Sequence, residues 1–217
     1  MVRKQQKRQE NKEDKDNHII FQIIKQYSSL SISVNSIRIM ASLLRHVGSL
    51  IIKECFNLVI SKGCKRISVE TMKHATTLTI RCDLQTKCLS EAQKAMDSAI
   101  KKEFLIKPSF LKEMINQFAT KVCAEEKALE FFSIVLETII RELTLLLEKY
   151  LKNIKKERIM PRHILMCVLY TESFFILKTN EKIIFPSTGH ISFFPFAELR
   201  DFRNPESSQP QLGEQEY

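Results

Sequence analysis

Two short basic strings stand out as places where side chains could do chemistry: Lys62-Gly63-Cys64-Lys65-Arg66-Ile67-Ser68 and Lys155-Lys156-Glu157-Arg158-Ile159. Each gathers cations into a few residues between longer apolar stretches, and the first ends in a hydroxyl. Ammonium and guanidinium groups beside hydroxyls and helix N-termini suit phosphate oxygens, so the chemistry on offer is electrostatic binding of a polyanion. Nothing comparable points to catalysis. Cys55, Cys64, Cys82, Cys88, Cys123 and Cys167 contain no CxxC pair and the five histidines form no cluster, so no metal site is expected. The cysteines read as buried, reduced thiols that pack as small hydrophobes. Four glycines leave no material for a dinucleotide fingerprint or a Walker-type phosphate loop. With no nucleophile set beside a base, the expectation is a protein without enzymatic activity and without a cofactor.

The charge is unevenly spread along the 217 residues. Thirty-four Lys and Arg face 25 Asp and Glu, a net +9 with a pI near 9.3. Residues 18–102 hold 13 basic against 5 acidic side chains, and 103–196 hold 13 against 11; residues 197–217 reverse the sign, with 2 against 5. A basic first half attracts a polyanion, although the same pattern would serve a merely solubilising face. No apolar run is long enough to cross a bilayer and the first residues show no secretory signal, which reads as a soluble, intracellular protein with no membrane partner.

The elements that must carry the basic strings are helical. Turn formers are few, Leu, Ile, Lys and Glu are many, and sustained alternation is missing, so the fold class is all-α. Residues 1–17 are polar apart from Met1 and Val2 and read as a disordered tail. A short amphipathic stretch from His18 to Ser28 precedes a loop over Ser28 to Ser33. Asn35 to Ser61 then forms a long helix, on which Ile37, Met40, Leu43, Leu44, Val47, Leu50 and Ile51 recur at intervals of three and four. After the first basic string, Ser68 caps a short helix with Glu70 in its first turn, and Asp83 caps a further one through Leu84, Cys88, Ala92 and Ala95. Past Pro108 the plan restarts: a short helix through Phe110 to Phe118, a polar break at Lys121 to Lys127, and a long helix through Leu129 to Tyr150. The second basic string follows, then a helix opened by Pro161 at a favoured first-turn position. A long helix that is apolar over so wide an arc cannot be covered by its own two short neighbours, so each copy needs a partner, and the other copy is the obvious one. Periodicity alone does not separate this from a plain bundle in which two long helices pack.

The residues resemble the histone fold, and more narrowly two core histones fused head to tail. Phe21-Gln22-Ile23-Ile24-Lys25-Gln26, Ile32-Ser33, Ile39-Met40, Ile67-Ser68, Leu84 and Leu89-Ser90-Glu91-Ala92-Gln93-Lys94-Ala95 are similar to histone 2B. Val135-Leu136-Glu137 and the run Lys155 to His163 are similar to histone 2A, the latter a highly specific string. The resemblance divides the chain into a tail (1–17), a histone 2B-like fold (18–102), a histone 2A-like fold (103–180), a docking segment with a turn around Gly189 (181–203) and a C-terminal tail (204–217). Fused doublets of this kind are typical of giant DNA viruses, which implies a virion protein acting in the host nucleus or viral factory.

The resemblance also implies a handshake, with the first loop of each copy beside the second loop of the other. One end then gathers Ser31 and Ser33 with Lys155, Lys156 and Arg158. The opposite end gathers Lys62, Lys65, Arg66 and Ser68 with Lys121 and Lys127, and Lys25 and Lys112 make a middle site. Arg158 matches the position whose guanidinium enters an inward-facing minor groove; the histone octamer is the standard illustration of that mode. Cys123 stands where histone 2A has a loop arginine, and Phe110 and Glu113 occupy positions expected to be basic. An acidic patch maps onto Asp83, Glu91, Glu137, Glu142 and Glu172, with Leu145, Thr171 and Ser173 replacing acidic positions. Phe185, Phe193, Phe194 and Phe196, with Phe174 and Phe175, would dock onto a partner. The implied partners are double-stranded DNA, a histone 4 and histone 3 type doublet or pair, and a second copy of this chain within a nucleosome-like particle. The alternative reading is a histone-fold interaction module of a transcription or chromatin complex.

Overall fold

The structure is a computed structural model that describes residues 2–98, 104–118 and 122–177, with side chains over 15–98, 104–118 and 122–174. Seven helices follow in order: α1 (Val2–Tyr27), α2 (Val34–Ser61), α3 (Val69–Thr79), α4 (Cys82–Asp97), α5 (Pro108–Phe118), α6 (Glu126–Asn153) and α7 (Pro161–Tyr170). A 3-10 turn over Glu172–Leu177 closes the described chain. Four two-residue strands sit between the helices: β1 (Ser31–Ile32), β2 (Arg66–Ile67), β3 (Cys123–Ala124) and β4 (Arg158–Ile159).

The repeat is closer than its sequence suggests. β1 and β3, α2 and α6, and β2 and β4 each stand 92 positions apart at both of their bounds. Both long helices end alike. Gly63 has φ +63° and Lys155 φ +53°, and in each case the following N–H reaches back five residues, Cys64 to the Val59 carbonyl (3.0 Å) and Lys156 to the Leu151 carbonyl (2.9 Å). That left-handed closure satisfies carbonyls the helix would otherwise leave open.

Strand pairing runs between the copies. β1 pairs in parallel with β4, Ser31 opposite Arg158, and β2 with β3, Arg66 opposite Cys123. The Ser31 and Ser33 N–H groups donate to the Glu157 (3.0 Å) and Ile159 (3.1 Å) carbonyls, and those of Cys123 and Glu125 to Lys65 (3.3 Å) and Ile67 (3.0 Å). Ile67 and Ile159, both wholly buried, anchor the two pairings in the core. The chain is therefore an intramolecular handshake rather than a bundle of two packed long helices. Helix α6 is its axis: it touches all six other helices, and Phe131, Phe132, Ile134, Val135 and Leu136 are buried nearly in sequence, so its burial runs around the helix and not along one stripe.

Three expectations need correction. Residues 2–17 are not a disordered tail, because α1 begins at Val2. Propagating a helix already nucleated by the buried Ile20, Ile23 and Ile24 costs far less than starting one, and Lys, Arg, Gln and Glu are good helix formers. Asp83 is not the cap of α4; Arg81 holds that position without a side-chain hydrogen bond, after which Cys82 turns with φ +58° and places Asp83 in the first turn. The cysteines divide evenly instead of being uniformly buried, with Cys55, Cys88 and Cys167 inside and Cys64, Cys82 and Cys123 exposed on connecting loops or at their edges. Burial pushes the Cys55 and Cys88 thiols up to about 12. The segments 181–203 and 204–217 lie outside the described residues.

The connection between the copies is fastened to α6. Ser133 donates its hydroxyl to the Ile106 carbonyl (2.8 Å), and the Ile106 N–H donates to Glu137 (2.8 Å). Both Ile106 and Ser133 are wholly buried, so the carbonyl has no water to turn to. Ser133→Ala is expected to cost about 1–3 kcal/mol of stability in urea unfolding, the cost of leaving a buried polar group unpaired; a loss within measurement error would show that the clasp does not hold the copies together.

Candidate nucleic-acid interface

The two strand pairings decide which groups of the other copy lie beside each basic string. At one end the β1–β4 pair sets Arg158 opposite Ser31, with Lys155 and Lys156 on the turn just before it; all three cations are exposed. At the other end β2–β3 sets Arg66 opposite Cys123, flanked by Lys62, Lys65 and Lys127, again exposed. Lys121 lies outside the described residues. None of these seven cations forms an ion pair with a carboxylate among the described residues. Each end therefore carries unneutralised charge, from the second copy alone at the β1–β4 end and from both copies at the β2–β3 end.

The hydroxyls have other duties. Ser33 is buried, and its Oγ accepts from the Ser36 N–H (3.2 Å) as the cap of α2. Ser68 caps α3 in the same way, accepting from the Thr71 N–H (3.3 Å), and Ser31 donates to the Glu157 carbonyl (3.1 Å). These serines fix the helix starts and the loop pairing. The counterparts of Ser33 and Ser68, 92 residues on, are Glu125 and Met160, which cap nothing with their side chains. The second copy thus starts its helices without hydroxyl caps.

The two lysines expected at a middle site lie on the two first helices, α1 and α5. Lys25 lies in the last turn of α1, over the Phe21 ring at 5.7 Å and toward the β1–β4 end, whereas Lys112 lies at about mid-length of α5. They do not share a position along their helices. The side chain that joins the two first helices is Arg45 of α2, which pairs with Asp16 in α1 and stacks at 5.0 Å over Phe110 in α5. Sequence periodicity placed Arg45 only on a helix; its two contacts are tertiary and left no local signal.

The acidic residues come together along the α4–α6 seam but are largely answered from within. Glu91 accepts from Arg141 (3.3 Å), with Lys94 at 3.6 Å; Glu142 takes Lys87 at 2.6 Å and Arg141 at 3.4 Å. Burial disfavours charge on Glu91, yet Arg141 and Lys94 outweigh it and lower its pKa. Glu137 is turned to the linker. Asp83 and Glu172 are exposed, and Asp83 with Glu142, Lys87, Ser173 and Phe174 borders a shallow cleft. Arg141 and Lys87 were missed by the sequence reading, which counted acids without their basic neighbours. Phe174, expected to face a partner, is 3% exposed and packs within this chain, while Phe185, Phe193, Phe194 and Phe196 lie outside the described residues.

His163 supports the Arg158 loop from below. Its Nδ1 accepts from the Met160 N–H (3.1 Å), and its ring packs edge-on to Tyr150. Burial, and then the Arg162 charge, lower its pKa from 6.5 to about 4, against a hydrogen bond to the Arg158 backbone.

No family model matches the sequence, and no curated protein matches it. Among solved structures the fold is similar to the histone from Methanopyrus kandleri, with a TM-score of 0.51 and 11% identity over 71% of this chain and 93% of that one. A match covering 71% of 217 residues is longer than either copy, so it takes in parts of both. The fold is the histone fold, present twice.

Two outcomes follow from the loop that carries Arg158. Lys155→Gly relieves a side chain held at φ +53° and is expected to raise stability by about 1 kcal/mol in thermal or urea unfolding; a loss of stability would mean that the Lys155 side chain packs as well as bears charge. Below pH 6.5 the unfolded chain protonates His163 while the folded one does not, so this histidine's contribution is complete above 6.5 and is lost progressively down to about 4. Unfolding free energy is expected to fall by up to about 3 kcal/mol over that window, and His163→Gln should flatten the dependence. An equal acid slope in the variant would remove the assignment.

Proposed function

We propose that this chain, built on two histone folds, is a histone doublet that binds double-stranded DNA without sequence specificity. The observation that carries the reading is the pair of loop ends, each formed by loops of both copies and each with exposed, unpaired cations, Lys155, Lys156 and Arg158 at one and Lys62, Lys65, Arg66 and Lys127 at the other. Such groups meet phosphate oxygens, which carry no base information. Arg158, exposed at the edge of a two-residue strand, is the guanidinium best placed for an inward-facing minor groove.

The finer reading is assembly with a histone 4 and histone 3 type partner, and with a second copy of this chain, into a nucleosome-like particle that compacts a viral genome in the virion and the host nucleus or viral factory. Exposed Ile60 (75%) and Leu78 (59%) on α2 and α3 support a protein partner, since large apolar side chains so open to water favour burial in an interface. The same two residues would serve an interaction module of a transcription or chromatin complex; the unpaired loop cations favour DNA. Arg141 and Lys87 already occupy the acidic seam, so factors that insert an arginine there are expected to bind weakly.

Replacing Lys155, Lys156 and Arg158 with Ala is expected to lower the slope of log affinity against log salt for duplex DNA by about two to three units, since each phosphate contact contributes roughly 0.9. Lys155→Gly, folded at least as well as the parent, should still weaken binding. Micrococcal nuclease digestion of DNA with a histone 3 and 4 type partner tests the particle: protected fragments should lengthen when this chain is added. Unchanged fragments and an unchanged slope would favour the interaction module.

A further inference from the structure

The two ends of the handshake share the same backbone bonds but not the same side-chain ties. At the β1–β4 end the Ser31 hydroxyl donates to the Glu157 carbonyl (3.1 Å) and the Ser36 hydroxyl to the Ile159 carbonyl (3.1 Å), so two side chains of the first copy reinforce its pairing with the second. The residues 92 positions on are Cys123 and Ala128. Among the described residues no side-chain hydrogen bond joins the two loops of the β2–β3 end, which is therefore the less firmly tied of the two.

What that end has instead is a pair of thiols, one from each copy. Cys123 stands on β3 opposite Arg66, and its N–H donates to the Lys65 carbonyl (3.3 Å); Cys64 is the residue before Lys65. Both are exposed. In a flat parallel ribbon, residues two positions out of register lie about 8 Å apart, against the roughly 4.4–6.8 Å that a disulfide spans, so closing a bond asks for a shift of about 1–2 Å. The turn has room for it. Cys64 lies outside the strand, its thiol is held by a weak bond to the Lys62 carbonyl (3.7 Å), and a Cβ added at the neighbouring Gly63 would meet nothing within 4 Å. Lys62, Lys65, Arg66 and Lys127 flank the pair, and their unneutralised charge draws a small anion to this end.

We propose that Cys64 and Cys123 form a redox site that takes a small anionic disulfide, of which oxidised glutathione is the probe, and joins the two copies covalently. The thiolate of one cysteine attacks a sulfur of the small disulfide and releases one glutathione thiol. The other cysteine, its proton given to water, then attacks the protein sulfur of the mixed disulfide and releases the second glutathione. Two protein thiols are oxidised to one S–S bond, and one small disulfide is reduced to two thiols. The inference rests on the β2–β3 pairing and is independent of the DNA-binding reading. Cys55, Cys88 and Cys167 are buried, and Cys82, exposed at the start of α4, lies on no inter-copy pairing.

The whole chain tests this, with Cys82→Ser so that the pair supplies its only exposed thiols among the described residues. The reduced protein is incubated with oxidised glutathione, free thiols are alkylated, and the intact mass and the non-reduced tryptic peptides are read. The expected product is two hydrogens lighter, with the Cys64 and Cys123 peptides joined. Because the bond closes 59 positions of chain, the melting temperature is expected to rise by about 5–10 °C and to return with dithiothreitol. Adding Cys64→Ser or Cys123→Ser should stop the reaction at a mixed disulfide, one glutathione heavier, with no such rise. Mixed disulfides alone in the protein that keeps both cysteines, or a bond joining other cysteines, would overturn the site. A Cys64–Cys123 bond without a rise in melting temperature would overturn its role as a fastening.

Discussion

The rest of the molecule depends on two short parallel pairings, β1 with β4 and β2 with β3, each only two residues long. Backbone hydrogen bonds so few in number would contribute little alone. Their strength comes from where they sit: Ile67 and Ile159 bury one residue of each pair completely, so the polar backbone beside them must find a partner or pay a desolvation cost. Because each pairing joins the first loop of one copy to the second loop of the other, it fixes the register of the copies and the place of each basic string at the same time, and at the β2–β3 end it adds Lys127 of one copy to Lys62, Lys65 and Arg66 of the other. Fold and charge display are one constraint.

From that constraint the burial of α6 follows. Once the loops are tied at both ends, α6 packs against all six other helices and carries the contacts of both copies. Helix α2 remains more open, and its exposed positions bear Arg38, Ser42 and Ile60. The linker, clasped by Ser133 and Glu137, crosses the N-terminal half of α6, which is why an acid that the family resemblance assigns to a surface patch is spent on an internal bond. Charge is managed in the same way elsewhere. Arg141 lies between Glu91 and Glu142, and Asp16 on Arg45, so the seam and the middle of the molecule are internally neutralised while the loop ends are not.

Much of this was legible in the sequence where the signal is local. The long helices announce themselves through apolar spacing, Ser68 and Pro161 through helix-start chemistry, and the loop cations through the strings around Arg66 and Arg158. What escaped is tertiary or depends on competition between effects. Composition argued for disorder at residues 2–17, whereas the helix continues outward from a packed turn. Cys82 takes a left-handed turn with no glycine to mark it, which displaces the cap expected at Asp83. Arg45, Arg141 and Lys87 look like ordinary helix cations in one dimension and acquire their meaning only from the acid or ring each one meets. Lys155 is the reverse case: the left-handed backbone asks for glycine, as at Gly63, and the sequence keeps a cation there.

The central claim, that DNA runs along the loop ends, can be tested with the exposed cysteines. An iron chelate that generates hydroxyl radicals would be tethered at Cys123 alone, beside Arg66, or at Cys82 alone, in the turn before α4 on the other side of α3, with the other exposed cysteines replaced by Ser. Bound duplex DNA should be cut from Cys123 and spared from Cys82. Equal cutting from both, or cutting from Cys82 alone, would contradict the account.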